Sequence, residues 1–366
     1  MSIYQENMGI FQFFQHARRI LFNFFYMFKS GEYAAKPFGI KFEVSSLCNL
    51  KCIMCPLSKG LKRKQGVLSF KKFKQVFDQI NPSYLNLTGI GEPLLNKDLF
   101  KIIRYARKNS SIVKLDTNAT LLNKDNSTNL LNSNPNIISV SIDGVDKKSY
   151  EKIRKNANFE SVISNLKNLI DLRNSRKYKT KIHINFVMQK ENLKDLVKFL
   201  EFADSFGVDA INGDIALPLG ANKNIQNRNI NKNLLISLKK ELKNLKLKTS
   251  LNIEHVREFI DCEGDIFKQR KKNCFYPWYY PSITWDGNLV PCCYVCDNEV
   301  VFGNVFEEPF MKVWNNKKIR KFRKILATER KGICKDCFID ESYLYKRISL
   351  LSKIPLIRKI SKRNWN

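Results

Sequence analysis

From residue 40 onward the chain alternates short β-like runs with amphipathic helical stretches, and this alternation restricts the fold more than any other feature. The β-like runs are Ile40–Ser45, Tyr84–Thr88, Ile112–Asp116, Ile137–Ile142, Lys181–Val187 and Ala210–Ile215. Between them apolar residues recur at helical spacing: Phe70, Phe73, Val76, Phe77 and Ile80, then Leu99, Ile102, Ile103 and Ala106. The same spacing returns at Val162, Leu166, Leu169 and Ile170, and again at Leu193, Leu196, Val197 and Leu200. Apolar strands separated by such helices imply βαβ units and a parallel sheet. Six units of roughly 30 residues each predict an α/β fold, a partial (β/α)6 barrel over residues 40–218.

The flanks read differently. Residues 1–39 form an amphipathic extension with an aromatic face of Phe11, Phe14, Phe22, Phe25 and Tyr26, interrupted by Gln12, Gln15, Arg18 and Arg19. A membrane span needs about 20 mostly apolar residues, so this stretch is either a surface-seeking helix or one packed on the main domain. Residues 219–273 are Asn/Lys-rich and read as linker and helices, with one helix over Leu234–Leu245. Residues 274–340 read as a small cysteine-rich α+β domain, and residues 341–366 as a basic amphipathic tail with no acid from Tyr343 onward. Formal net charge is +30, from 64 Lys and Arg against 34 Asp and Glu. That charge suits an anionic partner such as a membrane surface or nucleic acid. Much of it is also lysine scattered among asparagines, as in Asn222-Lys223-Asn224, which describes a solvated face equally well.

Ten cysteines cluster instead of spreading, and no secretory signal precedes them. A large chain of this kind belongs in a reducing, cytoplasmic compartment with metal-bound thiolates, not in a disulfide scaffold. Cys48, Cys52 and Cys55 stand in one short loop after the first β-like run, with no fourth. A structural zinc site closes with four ligands. A cubane cluster on three thiolates keeps one iron open for a ligand. Further polar groups follow each later strand: Gly89-Ile90-Gly91-Glu92-Pro93, then Asp116-Thr117-Asn118, then Ser141-Ile142-Asp143-Gly144 with Arg154, then Gln189 and Asn192. In barrel-like folds the carboxyl ends of strands carry the active site. Among the three histidines, His183 lies within the fifth strand and is either pocket-facing or packed. Asp214, ending the sixth, is a further pocket candidate.

Together these motifs resemble the radical S-adenosylmethionine superfamily. The resemblance implies that Cys48, Cys52 and Cys55 ligate a [4Fe-4S] cluster whose open iron binds S-adenosylmethionine. An electron from the cluster then splits the sulfonium, and the 5′-deoxyadenosyl radical takes a hydrogen atom from substrate. It further implies that the turn Gly91-Glu92-Pro93 receives the methionine ammonium, that Asn118 and Ser141 lie near ribose or carboxylate, and that Arg154 pairs with the carboxylate. Ile90 stands where the family often has glycine. Met54 replaces a frequent aromatic and can cover the adenine.

The C-terminal run Cys274, Asp286-Gly287, Cys292, Phe302-Gly303-Asn304 and Cys334-x2-Cys337 resembles the SPASM/twitch extension, in its shorter form with one auxiliary [4Fe-4S] cluster. That implies Cys274, Cys292, Cys334 and Cys337 as ligands. Cys293 and Cys296 compete with Cys292, and Cys262 reads as a free or buried thiol. Four cysteines also suit zinc; the radical triplet in the same chain favours iron. The resemblance leaves the substrate open between a peptide or protein and a sugar or lipid-linked precursor. The short stretch before the first strand lowers the first expectation, and the basic ends favour a peripheral, membrane-proximal substrate. An electron donor such as flavodoxin or ferredoxin is implied. The rival is a non-enzymatic zinc- or cluster-bearing module that binds nucleic acid, which the triplet and the strand-end motifs oppose.

Overall fold

A computed structural model of the chain describes residues 32–216, 231–262, 274–335 and 337. The strands are β1 (Gly39–Phe42), β2 (Tyr84–Asn86), β3 (Ile112–Thr117), β4 (Ile137–Ser141), β5 (Lys181–Met188), β6 (Ala210–Ile215), β7 (Ser250–Asn252), β8 (Ser282–Ile283), β9 (Asn288–Val290) and β10 (Gly303–Asn304). They make one sheet in the order β10-β9-β8-β1-β2-β3-β4-β5-β6-β7. Neighbours from β8 through β1 to β7 are parallel, while β8–β9 and β9–β10 are antiparallel. The β1–β6 stretch is the partial barrel expected from the alternation.

Helices α1 (Phe70–Ile80), α2 (Leu99–Lys108), α3 (Lys124–Asn132), α4 (Lys147–Ile153), α5 (Phe159–Ser175), α6 (Leu196–Asp204) and α7 (Lys232–Asn244) cross between successive strands. Helix α8 (Glu254–Asp261) follows β7. Their starts are written in the chain: Ser69, Asn123 and Asn158 each accept a backbone N–H of the first turn, a contact worth about 1 kcal/mol. On α1 the apolar stripe Phe73, Val76, Phe77 and Ile80 is buried against the sheet. Each such side chain contributes ~1.5–3 kcal/mol over its exposed state.

One expectation changes. The segment read as linker supplies a seventh parallel strand, β7, and α8, which packs on α7 and on β6. At three residues β7 is too short to show a period. The cysteine-rich region joins the same sheet. Its strand β8 docks on β1, where the backbone N–H of Lys41 donates to Pro281 (3.0 Å) and that of Glu43 to Ile283 (2.9 Å). An open barrel leaves β1 with a row of unpaired backbone groups, and the C-terminal region covers it. Helices α9 (Tyr276–Tyr279), α10 (Phe310–Trp314) and α11 (Lys317–Thr328) hold this region together. The buried Arg323 bonds Pro277 and Glu32 carbonyls and lies over the Trp314 ring. The aromatic face of the N-terminal extension and the basic tail lie outside the described residues. Among the described residues no helix is long and apolar enough to cross a membrane.

Candidate active site

The loop of Cys48, Cys52 and Cys55 is fastened to the end of α4. Backbone N–H groups of Lys51 and Ile53 donate to the carbonyls of Lys155 (3.0 Å) and Ile153 (2.9 Å). These carbonyls flank Arg154, so the loop sets Cys52 beside that guanidinium, and the two feel each other's charge. Cys55 closes a turn on the Cys52 carbonyl at 3.0 Å. Burial pushes all three thiols up, Cys52 to about 11, with Arg154 opposing at Cys52 and Cys55. A thiolate in such a place needs more cationic charge than one arginine, and cluster iron would supply it. Among the described residues no three metal-binding side chains converge as ligands of a single ion do.

The second strand end locks against this loop. Glu92 N–H donates to the Leu47 carbonyl at 2.7 Å. A Cβ on Gly91 would fall 2.4 Å from the Leu47 oxygen and 2.5 Å from that of Ser45. Only glycine permits this approach. The Glu92 carboxylate, 1% exposed, accepts from Thr117 Oγ1 (2.7 Å), Asn118 N (2.8 Å) and Leu94 N (3.1 Å). A carboxylate has about four acceptor sites, so Glu92 is largely taken up in joining the second strand end to the third. Pro93 follows as the first residue of a short 3-10 turn. Asn118 is also engaged: its amide donates to Asn49 Oδ1 (3.0 Å) and reaches Cys48 Sγ (3.8 Å), and its oxygen accepts from Thr120.

Arg154 is buried, with Nε donating to Asp143 Oδ2 at 2.7 Å. Asp143 is held in turn by Val187 N (2.7 Å). Asp143 orients the guanidinium through Nε and leaves both terminal nitrogens without a partner among the described residues. Ser141, at the end of β4, likewise has a side-chain hydroxyl with no partner among the described residues. Met54 packs against the core. Asn192 braces the fifth strand end through the carbonyls of Asp143 and Val187. Gln189 is buried beside it with Nε2 unpaired. Asp214 accepts from the next backbone N–H and lies near Tyr294.

Cys274, Cys292, Cys334 and Cys337 line one cavity of about 340 Å³, walled by Pro277, Pro291, Phe322 and Leu326. Burial raises Cys334 to about 11 and pushes Cys292 well above its ordinary value. Four thiols in an apolar chamber are a donor set for iron–sulfur or zinc. Cys293 and Cys296 line a different cavity of about 350 Å³ against β1.

The sequence reading overlooked the inner face of the sheet. Thr88 bonds Asp116, Asn185 bonds Asp116, Asn212 bonds Asn185 and Asn252 bonds Asn212, at 2.7 to 2.9 Å. Polar residues at alternate strand positions were the available signal.

Comparisons with known proteins agree with this geometry. Residues 42–203 match the family model of the Radical SAM superfamily, and residues 274–338 that of an iron-sulfur cluster-binding domain, SPASM. An AdoMet-dependent heme synthase of Methanosarcina barkeri is 27% identical over 318 residues, covering 81% of this chain and 87% of that protein. The mycofactocin maturase MftC of Mycobacterium tuberculosis is 27% identical over 174 residues, 47% of this chain and 43% of its own. In structure, Streptococcus suis SuiB bound to precursor peptide SuiA superposes with a TM-score of 0.66 at 15% identity, over 90% of this chain and 82% of that one. That last likeness speaks for the fold.

Proposed function

This chain belongs to the radical S-adenosylmethionine superfamily and carries a C-terminal SPASM domain, and on that premise we propose that Cys48, Cys52 and Cys55 hold the [4Fe-4S] cluster. The observation that carries this is the three-thiol loop fastened on either side of Arg154. S-adenosylmethionine then lies over Gly91-Glu92-Pro93, Asn118, Ser141, Arg154 and Met54. When bound, cluster and S-adenosylmethionine supply an electron and a 5′-deoxyadenosyl radical for hydrogen abstraction.

The chain's own groups orient and shield. Arg154, aimed by Asp143, offers two terminal nitrogens to a carboxylate, a pairing that suits a planar guanidinium. Ser141 offers a hydroxyl to the ribose. Glu92 keeps the ammonium-binding turn rigid, and the carbonyls of that turn accept. Cys274, Cys292, Cys334 and Cys337 hold the second cluster of the chain. A flavodoxin- or ferredoxin-type donor delivers the electron within a reducing compartment.

The substrate class we propose is a peptide, since SuiB holds a precursor peptide in this same fold and a maturase is among the relatives. A tetrapyrrole of the heme type is the second reading, since an AdoMet-dependent heme synthase aligns along most of both chains.

Anaerobic iron and sulfide analysis tests the proposal, with about eight irons per chain expected for two cubanes. Reductant and S-adenosylmethionine should then yield 5′-deoxyadenosine. Cys52→Ala should lose that product and about half of the iron, while Cys334→Ala should lose only the auxiliary half. Zinc without iron would sink the reading. So would 5′-deoxyadenosine formation that survives Cys52→Ala.

A further inference from the structure

A cavity of about 350 Å³ lies at the seam between barrel and C-terminal region. It is lined by Lys41, Glu43, Arg63, Ser282, Cys293 and Cys296, among others. Arg63 and Glu43 neutralise each other through two bonds of 2.9 and 2.6 Å, with side chains 4% and 7% exposed. That leaves Lys41. Among the described residues its ammonium makes no ion pair and no hydrogen bond. Lys114, further along the inner face, is paired with Asp116 at 3.0 Å.

A second orphan stands beside the first. Ser282 is 7% exposed and its hydroxyl is buried without a partner. The parallel pairing of β1 with β8 sets Lys41 opposite Ser282. Both therefore face the same cavity, one from each domain. Buried hydroxyls are rarely left unsatisfied, and an exception calls for a group that completes it. A lysine offers three donors and no acceptor, and a serine hydroxyl donates as readily as it accepts. A single group that satisfies both is an acceptor carrying negative charge. One unpaired cation matches one unit of charge, and two donors side by side match the two oxygens of a carboxylate.

We propose that Lys41 and Ser282 form a subsite that takes a carboxylate of the substrate at the domain seam. It rests on the reading above, in which substrate reaches the first cluster. Ile90 lines the same cavity, and its carbonyl accepts from Cys55 Sγ at 3.9 Å. The subsite thus adjoins the radical-generating loop. Cys293 and Cys296 close the cavity, with Cys296 Sγ donating to the Cys293 carbonyl at 3.6 Å. They provide reporters inside it.

The test labels the cluster-loaded protein with iodoacetate or iodoacetamide, reagents alike except for the carboxylate, and reads each cysteine by mass spectrometry. The iodoacetate preference at Cys293 and Cys296, relative to Cys262, should be about threefold, given a nearby cation that Asp116 offsets in part. Lys41→Met should abolish the preference and Lys41→Arg should keep it. An equal ratio at all three cysteines overturns the subsite, as does a preference that survives Lys41→Met. Loss in both variants also overturns it, because charge is then not the cause. Glutarate and an amide-capped tripeptide with a central glutamate are added as competitors. Whichever blocks labelling at the lower concentration identifies the carboxylate as that of a small acid or of a peptide. If neither blocks, the subsite is refuted. The wild-type preparation also receives S-adenosylmethionine and dithionite. Preference without 5′-deoxyadenosine removes the radical reading alone, and 5′-deoxyadenosine without preference removes the subsite alone.

Discussion

Glu92 carries its charge in a place where water does not reach it. Burial pushes its carboxyl up, against hydrogen bonds from Asn118, Thr117 and Leu94 that favour the charged form. Glu92→Gln turns one acceptor into a donor that faces donors. The expected cost is ~2 kcal/mol for groups left unsatisfied, seen as a lower unfolding temperature and weaker S-adenosylmethionine binding. A second buried group titrates with consequences for pH. His183 on β5 has its pKa lowered from 6.5 to about 4, chiefly by burial and then by Lys114. Asn212 Nδ2 lies 3.3 Å from its Nδ1, a contact that the neutral ring can accept. The unfolded chain takes up this proton first as pH falls. The group's contribution is therefore complete above about pH 6.5 and drains away towards pH 4, by up to ~3 kcal/mol. Loss of cluster absorbance on heating, followed from pH 7 to 4.5, should fall less steeply for His183→Gln. The sequence left His183 open between pocket and packing, because position along a strand says which face but not which partner.

At the scale of elements, the turn after β2 decides whether the cysteine loop can form. A Cβ on Gly91 meets backbone oxygens of Ser45 and Leu47, and neither can swing aside as a side chain could. Gly91→Ala should displace the loop from Ser45 to Cys48. Iron at the first site should drop by more than half while the auxiliary cluster stays, and electron paramagnetic resonance of the reduced protein resolves the two. The Gly-Glu-Pro motif was legible in sequence, and so were β1 to β6, even β2, whose three paired residues sit within the longer apolar run Tyr84–Thr88. Strands β7 to β10 were not. At two or three residues each they are defined by the partner they pair with, not by a pattern of their own. The bonds by which Glu92 braces Thr117 and Asn118 were not legible, since only the folded distances reveal them.

On the scale of the molecule, the C-terminal region completes the barrel. Asp297 accepts backbone N–H groups of Lys62 (2.8 Å) and Arg63 (2.9 Å), Gln79 Oε1 accepts from Phe310 (2.8 Å), and Trp285 Nε1 reaches the Lys64 carbonyl (3.3 Å). None of these contacts was legible, since they join segments more than 200 residues apart with no shared period. The division into a barrel of 40–218 and a domain of 274–340 suggests two units that fold separately. The sheet argues otherwise. A chain ending at Cys262 would leave β1 as an edge, with the N–H groups of Lys41 and Glu43 unpaired and the Arg63–Glu43 pair less covered. Exposed edges recruit other strands, and a buried ion pair stripped of its surroundings loses the geometry that offsets its desolvation. Such a chain should therefore elute from gel filtration as aggregate and fail to keep iron at Cys48, Cys52 and Cys55, although every residue of that site is present. A soluble monomer with one intact cluster would show instead that β1 tolerates its edge, and that the seam serves the substrate alone.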